Sequence, residues 1–342
     1  MDGYSSPSFA GLESAGALWW MGDHEHAITT AHRELRALPG MAAWGFGLSV
    51  ATNLRIGQAY HSLGEYARAM ESLRKNLEML RGGLADDRTY MIGLPSVLSR
   101  SWLALCLAEL GEFDEGLAAA EEALRVAEAS DPGYSLIVAS GGLGSACLLK
   151  GDLARAVAVL ERALPVEPAD PITRAWPFVA SALGAAYSCV GRFDDALPLL
   201  EEAVERAAAM KLKANQSIRL VRLAEAHVRA GRPEIAFPLA AQALDLAQEH
   251  RERGHEAHAV RLLASIEVER EAPALDRAEE GYRKALALAE QLGMRPLQAH
   301  CHLGLGRLHR RTGNAEAAAA EVAAARDLYR AMDMTFWLHE AE

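Results

Sequence analysis

LGAAYSCVGRFDDALPLLEEAVERA, residues 183–207, reads as two short helices folded back on each other. The first carries Leu183, Gly184 and Tyr187, and a turn follows at Gly191. The second carries Ala196, Leu200, Ala203 and Val204, at helical spacings of four, three and one. Small residues stand where the helices must approach, and large apolar ones where space must be filled. A hairpin this short cannot bury its apolar face alone and needs neighbours of its own kind. The sequence supplies them. A glycine followed five positions later by a small residue occurs at Gly22/Ala27, Gly64/Ala69, Gly111/Gly116, Gly151/Ala156, Gly191/Ala196, Gly231/Ala236 and Gly313/Ala318. A degenerate copy keeps Ala278 but replaces the turn glycine with Glu271-Ala272-Pro273. The small positions advance in steps of 42, 47, 40, 40, 40, 42 and 40 residues, the mark of a solenoid.

Physical chemistry accounts for the letters. The glycine ends the first helix, where a left-handed residue is needed. Asp23, Glu65, Glu112 and Asp152 follow it and suit the positive end of the second helix. Composition agrees with a helical protein: 51% hydrophobic and 24% charged, with only 6% aromatic. A net charge of −11 offers no overall basic field for nucleic acid. Cys106, Cys147, Cys189 and Cys301 form no CxxC pair and read as buried thiols. No basic segment opens the chain, the first Lys or Arg being Arg33, and no apolar run is long enough for a membrane. The expectation is a cytoplasmic protein.

The segments 54–73, LRIGQAYHSLGEYARAMESL, and 183–204 resemble tetratricopeptide repeats. That pattern has Leu-Gly, an aromatic three residues on, then alanine and a large residue four beyond it. Gly57, Tyr60, Ala69 and Leu73 match it, as do Gly184, Tyr187, Ala196 and Leu200; Pro168 matches the closing proline in its own unit. The resemblance implies an all-α, right-handed superhelical solenoid of about eight hairpins in one array spanning 1–342. The approximate units are 8–40, 48–81, 96–130, 135–168, 175–210, 215–250, 255–292 and 297–331, with a tail at 332–342. The repeat of about 40 residues exceeds the usual ~34, which lengthens outer helices or links. The last third, with 94–113, resembles the C-terminal arrays of bacterial signalling proteins that carry nucleotide-cyclase and ATPase domains upstream. No GxxxxGK[ST] phosphate loop or cyclase metal motif occurs here.

Irregularities mark where to look for function. The 82–97 insertion, GGLADDRTYMIGLPSV, reads as a surface loop or as a lid over the inner face. The proline-bearing 166–177 segment reads as a rigid link. In the family the first helix of each unit lines the groove. Counting from the matches to Gly57 and Gly184 gives Trp19 and Trp20, Gln58 and His61, Glu109, Ser145, Ser188, Glu225 and Arg229, Arg261 and Glu269, and Arg307, Arg310 and Arg311. Between Gly293 and Asn314 there is no Asp or Glu, yet Arg295, Arg307, Arg310 and Arg311 occur. They read either as a pocket for an acidic partner or as pairs for neighbouring carboxylates. Of Trp19 and Trp20, one reads as core and the other as facing the groove or a missing neighbour. That first hairpin has no polar cap, so an upstream domain is a candidate partner.

His24/His26, His255/His258 and His300/His302 lack the spacing of a complete metal site, and no metal or cofactor is expected. With no GxSxG, HExxH or dinucleotide fingerprint, no enzyme is expected either. The functional expectation is a non-catalytic scaffold or regulatory sensor in bacterial signalling, binding a peptide or domain in its concave groove. The alternative is a small-molecule effector-sensing array, since the repeat-built domain of the bacterial maltose transcription activator suggests that such arrays can bind a small effector.

Overall fold

A computed structural model describes residues 10–38, 45–82, 91–130, 133–164 and 174–341. Residues 83–90 of the 82–97 insertion and residues 166–173 of the 166–177 segment, Pro168 among them, lie outside the described residues. The described residues form α-helices and one 3-10 turn, and no strand. The helices are α1 (Ala10–Trp20), α2 (His24–Ala37), α3 (Gly45–Ser62), α4 (Tyr66–Met79), α5 (Pro95–Leu110), α6 (Phe113–Ser130), α7 (Tyr134–Lys150), α8 (Leu153–Ala163), α9 (Trp176–Cys189), α10 (Phe193–Ala209), α11 (Gln216–Arg229), α12 (Pro233–Glu249), α13 (Arg253–Glu269), α14 (Leu275–Leu292), α15 (Arg295–Arg311), α16 (Ala315–Ala331) and α17 (Thr335–Glu340). They pair as eight hairpins of a right-handed solenoid, and α17 follows the last.

The packing inside each hairpin follows the repeated letters. All seven turn glycines sit in the left-handed region, with φ between 72° and 93°. Small residues of the second helices, from Ala69 to Ala278, are sealed against the first helices. At Gly144 and Gly184 a Cβ would stand 2.3 and 2.6 Å from Leu160 and Leu200, so only glycine lets these leucines seat. Acidic residues after the turn divide by length. Asp23 and Asp152 accept from the backbone N–H three residues on, whereas the longer Glu65 makes no such cap.

The links between later hairpins share a second pattern. Lys211, Arg251, Gly293 and Asp333 all have positive φ. The N–H of the next residue then donates back into the helix just ended: Leu212 to Ala207, Glu252 to Ala247, Met294 to Ala289, Met334 to Tyr329. Each such next residue is buried. Three are apolar, and the fourth is Glu252.

The solenoid winds tightly enough to touch itself. The backbone N–H of Lys213 donates to the Trp20 carbonyl at 2.8 Å. Arg295 donates to the carbonyls of Leu110 (2.9 Å) and Gly111 (3.1 Å) and pairs with Glu112 at 2.9 Å. Lys150 pairs with Asp333, and Arg251 with Glu25. The first hairpin is therefore covered by a later turn of the same chain. Trp19 is 1% exposed, donates to Ser62 Oγ at 3.1 Å, and packs with Trp102 and Ala214. The total accessible surface, 15239 Å² for 36.9 kDa, is close to the ~13,600 Å² of a compact monomer of that mass.

Candidate functional site in the superhelix interior

The first helix of each hairpin turns one stripe inward. On α11 it runs Ile218, Val221, Arg222, Glu225, Val228 and Arg229; on α13, forty residues on, it runs His258, Arg261, Leu262, Ser265, Val268 and Glu269. The offsets are those of one helical face. On α15 the stripe continues with His300, Leu303, Gly304 and Arg307. These faces line a cavity of about 420 Å³, and a smaller one of about 140 Å³ shares Glu225, Arg229, Arg261, His300 and Trp337 with it. The two form one channel.

The channel is polar and of mixed charge. Its arginines are Arg222, Arg229, Arg261 and Arg307, and its carboxylates Glu109, Glu225, Glu269 and Glu340. Arg261 donates to Glu225. Arg307 donates to the Glu340 carbonyl at 2.8 Å. Glu109 reaches across from α5 to His258 Nε2 at 3.3 Å, so opposite walls meet. Burial pushes the Glu109 carboxyl up, but the His258 hydrogen bond and the nearby imidazoles outweigh it and hold it below the usual range. Arg222 donates a hydrogen bond to Ser181 Oγ at 3.3 Å, and Arg229 stands over the face of Trp337 at 5.7 Å. Neither makes a direct ion pair among the described residues, although Glu109 and Glu225 act on Arg222 from a distance and Arg229 acts on Glu269. Burial lowers His300 well below an ordinary imidazole, aided by Arg261 and other nearby cations. It is neutral, with Nδ1 2.6 Å from Tyr329 Oη. Trp337 packs edge-on to His300 and leaves its indole N–H without a partner.

The structure sends the residues selected from sequence to three cavities and to places outside them. Glu225, Arg229, Arg261, Glu269 and Arg307 share the large cavity. Glu109 and Ser188 line the smaller one. Trp19, Trp20 and Gln58 border a separate apolar cavity at the other end of the interior. His61 is buried among Tyr66 and Trp102, and Ser145 is buried on α7. Arg310 and Arg311 are exposed and outside the cavities, Arg311 donating to the Val268 carbonyl. Arg295 belongs to the contact with Leu110, Gly111 and Glu112. The acid-free stretch 293–314 thus sends its arginines to different places rather than into one pocket.

Sequence reasoning did not select Arg222, His258, His300 or Trp337 for the groove. The first three lie on the inward stripe, at positions other than the two counted per helix, and the forty-residue recurrence of that stripe is the signal that finds them. Trp337 comes from the tail, where no repeat letter points inward.

Glu252, the exceptional link residue, gathers a buried network. Its Oε1 lies 3.2 Å from His24 Nε2 and accepts the Asn215 N–H at 3.0 Å. Its Oε2 accepts from Ser217 Oγ and lies 3.0 Å from His255 Nδ1. Burial opposes ionisation, but His255 and His24 prevail and hold the carboxyl far below the usual range. This is no nucleophile relay. Ser217 and Glu252 are 0% exposed and both meet the same imidazole nitrogen, whereas a relay uses opposite ring nitrogens. Nor do the donors converge on a common point, and no His/Cys/Asp/Glu group among the described residues is arranged for a metal. Cys106, Cys147 and Cys301 are buried and Cys189 is partly so; all four are free thiols. No helix among the described residues is long and apolar enough to cross a membrane.

Comparison with known proteins places this geometry. Family models described as tetratricopeptide repeat match residues 96–166 and 178–249, residues 50–79, and residues 299–324, together more than half of the chain. No curated protein matches the sequence. A Rap protein complexed with Competence and Sporulation Factor superposes with TM-score 0.63 at 13% identity, covering 97% of this chain and 99% of that one. The Rap conjugation gene regulator of plasmid pLS20, in complex with the Phr* peptide, gives 0.60 at 14% identity, covering 95% and 96%. The apo quorum sensor NprR from B. thuringiensis gives 0.55 at 14% identity, covering 93% and 86%. At such identities the likeness is one of fold.

Proposed function

Because the chain belongs to the tetratricopeptide repeat family, we propose that it is a non-catalytic recognition module that holds a peptide segment inside its superhelix. The observation that carries this reading is the mixed-charge channel over α11, α13 and α15, where Arg222 and Arg229 make no direct ion pair among the described residues. A peptide suits such a wall. Its carboxylates find the open guanidiniums, and its backbone meets polar groups such as Ser188, Ser265 and the Trp337 N–H. The solved Rap structures, similar in fold, hold Competence and Sporulation Factor and the Phr* peptide. The resemblance of the last third to bacterial cyclase–ATPase arrays supports a role in bacterial signalling, with a protein partner that includes an upstream domain of that kind as one candidate.

The test is capture from source lysate followed by peptide mapping, with the Arg229→Gln/Arg307→Gln double variant as comparison. We expect the parent to retain a stoichiometric partner. The variant should keep its helical circular dichroism and lose roughly tenfold or more in affinity. Equal capture by both proteins would place recognition elsewhere. A second reading, effector sensing, is favoured by one specific feature, the apolar cavity at the opposite end of the interior.

A further inference from the structure

The cavity of about 80 Å³ at the start of the superhelix has walls unlike those of the charged channel. Trp20, Trp102, Tyr134, Phe178, Leu98 and Met91 supply an aromatic and aliphatic lining. Set into it are three guanidiniums, those of Arg55, Arg174 and Arg219, and no Asp or Glu is among the described lining residues. The space is about half of the ~150 Å³ that encloses a benzene ring, and it is open on one side, so an occupant seats only part of its bulk here and leaves the rest over the mouth.

None of the three cations has an ion-pair partner among the described residues, and a carboxylate acts on Arg219 alone. Arg219 is 4% exposed. It donates from Nη1 to the Ala214 carbonyl at 3.1 Å and to Gln216 at 3.3 Å, while its Nε has no partner. Burial and neighbouring Arg222 push its pKa down to about 10, which leaves it charged at neutral pH. The carboxylate that acts on it, Glu252, is already held by His24, His255, Ser217 and the Asn215 N–H. Arg55 donates to neutral Gln58 at 2.8 Å. Arg174 is exposed, with no hydrogen bond or ion pair among the described residues. Buried charge without a partner is costly, and an anion would remove that cost.

The irregular parts of the sequence meet here. Trp19 and Trp20 come from the first hairpin, Met91 and Ile92 from the 82–97 insertion, and Arg174 and Ala175 from the 166–177 link. None of these belongs to the repeated packing pattern, yet all border the same space.

The charges of Arg55 and Arg174 act on each other and on Tyr134. We infer that this cavity binds a small organic anion, an apolar or aromatic body bearing a carboxylate, with Arg55 and Arg174 facing the charge and the aromatic walls facing the body. The carboxylate is that of a free acid or of a peptide's C-terminal aromatic residue. The site shares no lining residue with the charged channel and stands independently of the peptide reading.

The test uses the full chain in phosphate-free buffer at pH 7, followed by calorimetric titration and tryptophan fluorescence. The probes are 3-phenylpropionate, its neutral amide, and the tetrapeptide Ala-Ala-Ala-Phe with a free or an amidated C-terminus. Trp19, Trp20 and Trp102 make binding visible as a change in emission. The acid or the free-ended tetrapeptide should bind at least tenfold more tightly than its uncharged counterpart. Arg174→Gln and Arg55→Gln should each weaken that binding roughly tenfold, while Arg229→Gln leaves it unchanged. Because Arg174 is exposed and unpartnered, its variant keeps the test decisive if Arg55→Gln fails to fold. Preference for the acid identifies a free metabolite, and preference for the free-ended tetrapeptide identifies a peptide terminus. The inference is overturned if neither anion binds, if charged and neutral probes bind equally, or if Arg174→Gln binds as the parent does.

Discussion

At the link between α12 and α13 the chain puts Glu252 where the equivalent links bury Leu212, Met294 and Met334. Backbone geometry is the same at all four, so the substitution is tolerated only because His24, Ser217, His255 and the Asn215 N–H satisfy the carboxylate. Glu252→Met should fit sterically and still cost about 3–5 kcal/mol, since it strands those partners in a buried site. Urea denaturation measures this; a midpoint equal to the parent's would show that the network adds nothing to stability. His61 makes a second prediction. Burial pushes its pKa down to about 4 from an ordinary 6.5, against the opposing fields of Glu109 and Glu252 and with help from His255 and His24. A lowered imidazole means that the unfolded chain binds more protons between these values. Stability conferred by neutral His61 is therefore whole above pH 6.5 and falls as pH drops toward 4, by on the order of 3 kcal/mol. His61→Gln should flatten that part of the profile in calorimetric scans from pH 7 to 4.5. The depressed carboxylates Glu109 and Glu252 act at lower pH, as they become protonated.

Within each hairpin, partners lie close in sequence, which is why the elements were legible. Gly57 seats Leu73, Gly144 seats Leu160 and Gly184 seats Leu200, always sixteen residues apart, so packing writes itself into a repeating pattern. Caps were legible only as a class. Acidic residues recur after the turn, but reach decides which of them bond. Asp152→Ala should cost about 0.5–1 kcal/mol, because its oxygen accepts from the Arg155 N–H. Glu65→Ala should cost less, Glu65 having no cap bond and only an exposed pair with Arg68. Thermal melts of the two variants check the order, and a larger loss at Glu65 would reverse the argument. The candidate site was half legible for a related reason. Its stripe repeats with the hairpin, so counting from Gly57 and Gly184 reached Glu225, Arg229, Arg261, Glu269 and Arg307. Charge alone did not tell Arg307, which lines the cavity, from Arg310 and Arg311, which fall outside it.

Contacts between successive superhelical turns left no trace in the repeat. Arg295 meets Leu110 185 residues away, and His24 meets Glu252 228 residues away; no periodic letter encodes either. They appear only once pitch and curvature are known, and both depend on small rotations accumulated over several hairpins. These contacts turn an open solenoid into a closed body with a narrow interior, and so create the cavities. They are unequal in strength. Arg251–Glu25 is an exposed ion pair, worth ~0–1 kcal/mol. Arg295 adds two backbone carbonyls to its carboxylate, and charge-assisted hydrogen bonds contribute about 1.5–3 kcal/mol. In solution the closed form should have a radius of gyration within a few ångströms of the ~20 Å of a compact domain of this length. Arg295→Ala should raise it and lower the melting temperature, while Arg251→Ala should change neither measurably. Small-angle scattering on the three proteins decides the matter. A parent radius well above that of a compact domain would mean that the turns do not touch in solution. An unchanged radius in Arg295→Ala would mean that apolar contacts, such as Met332 against Gly111 and Phe336 and Trp337 against Gly151, hold the turns together without it.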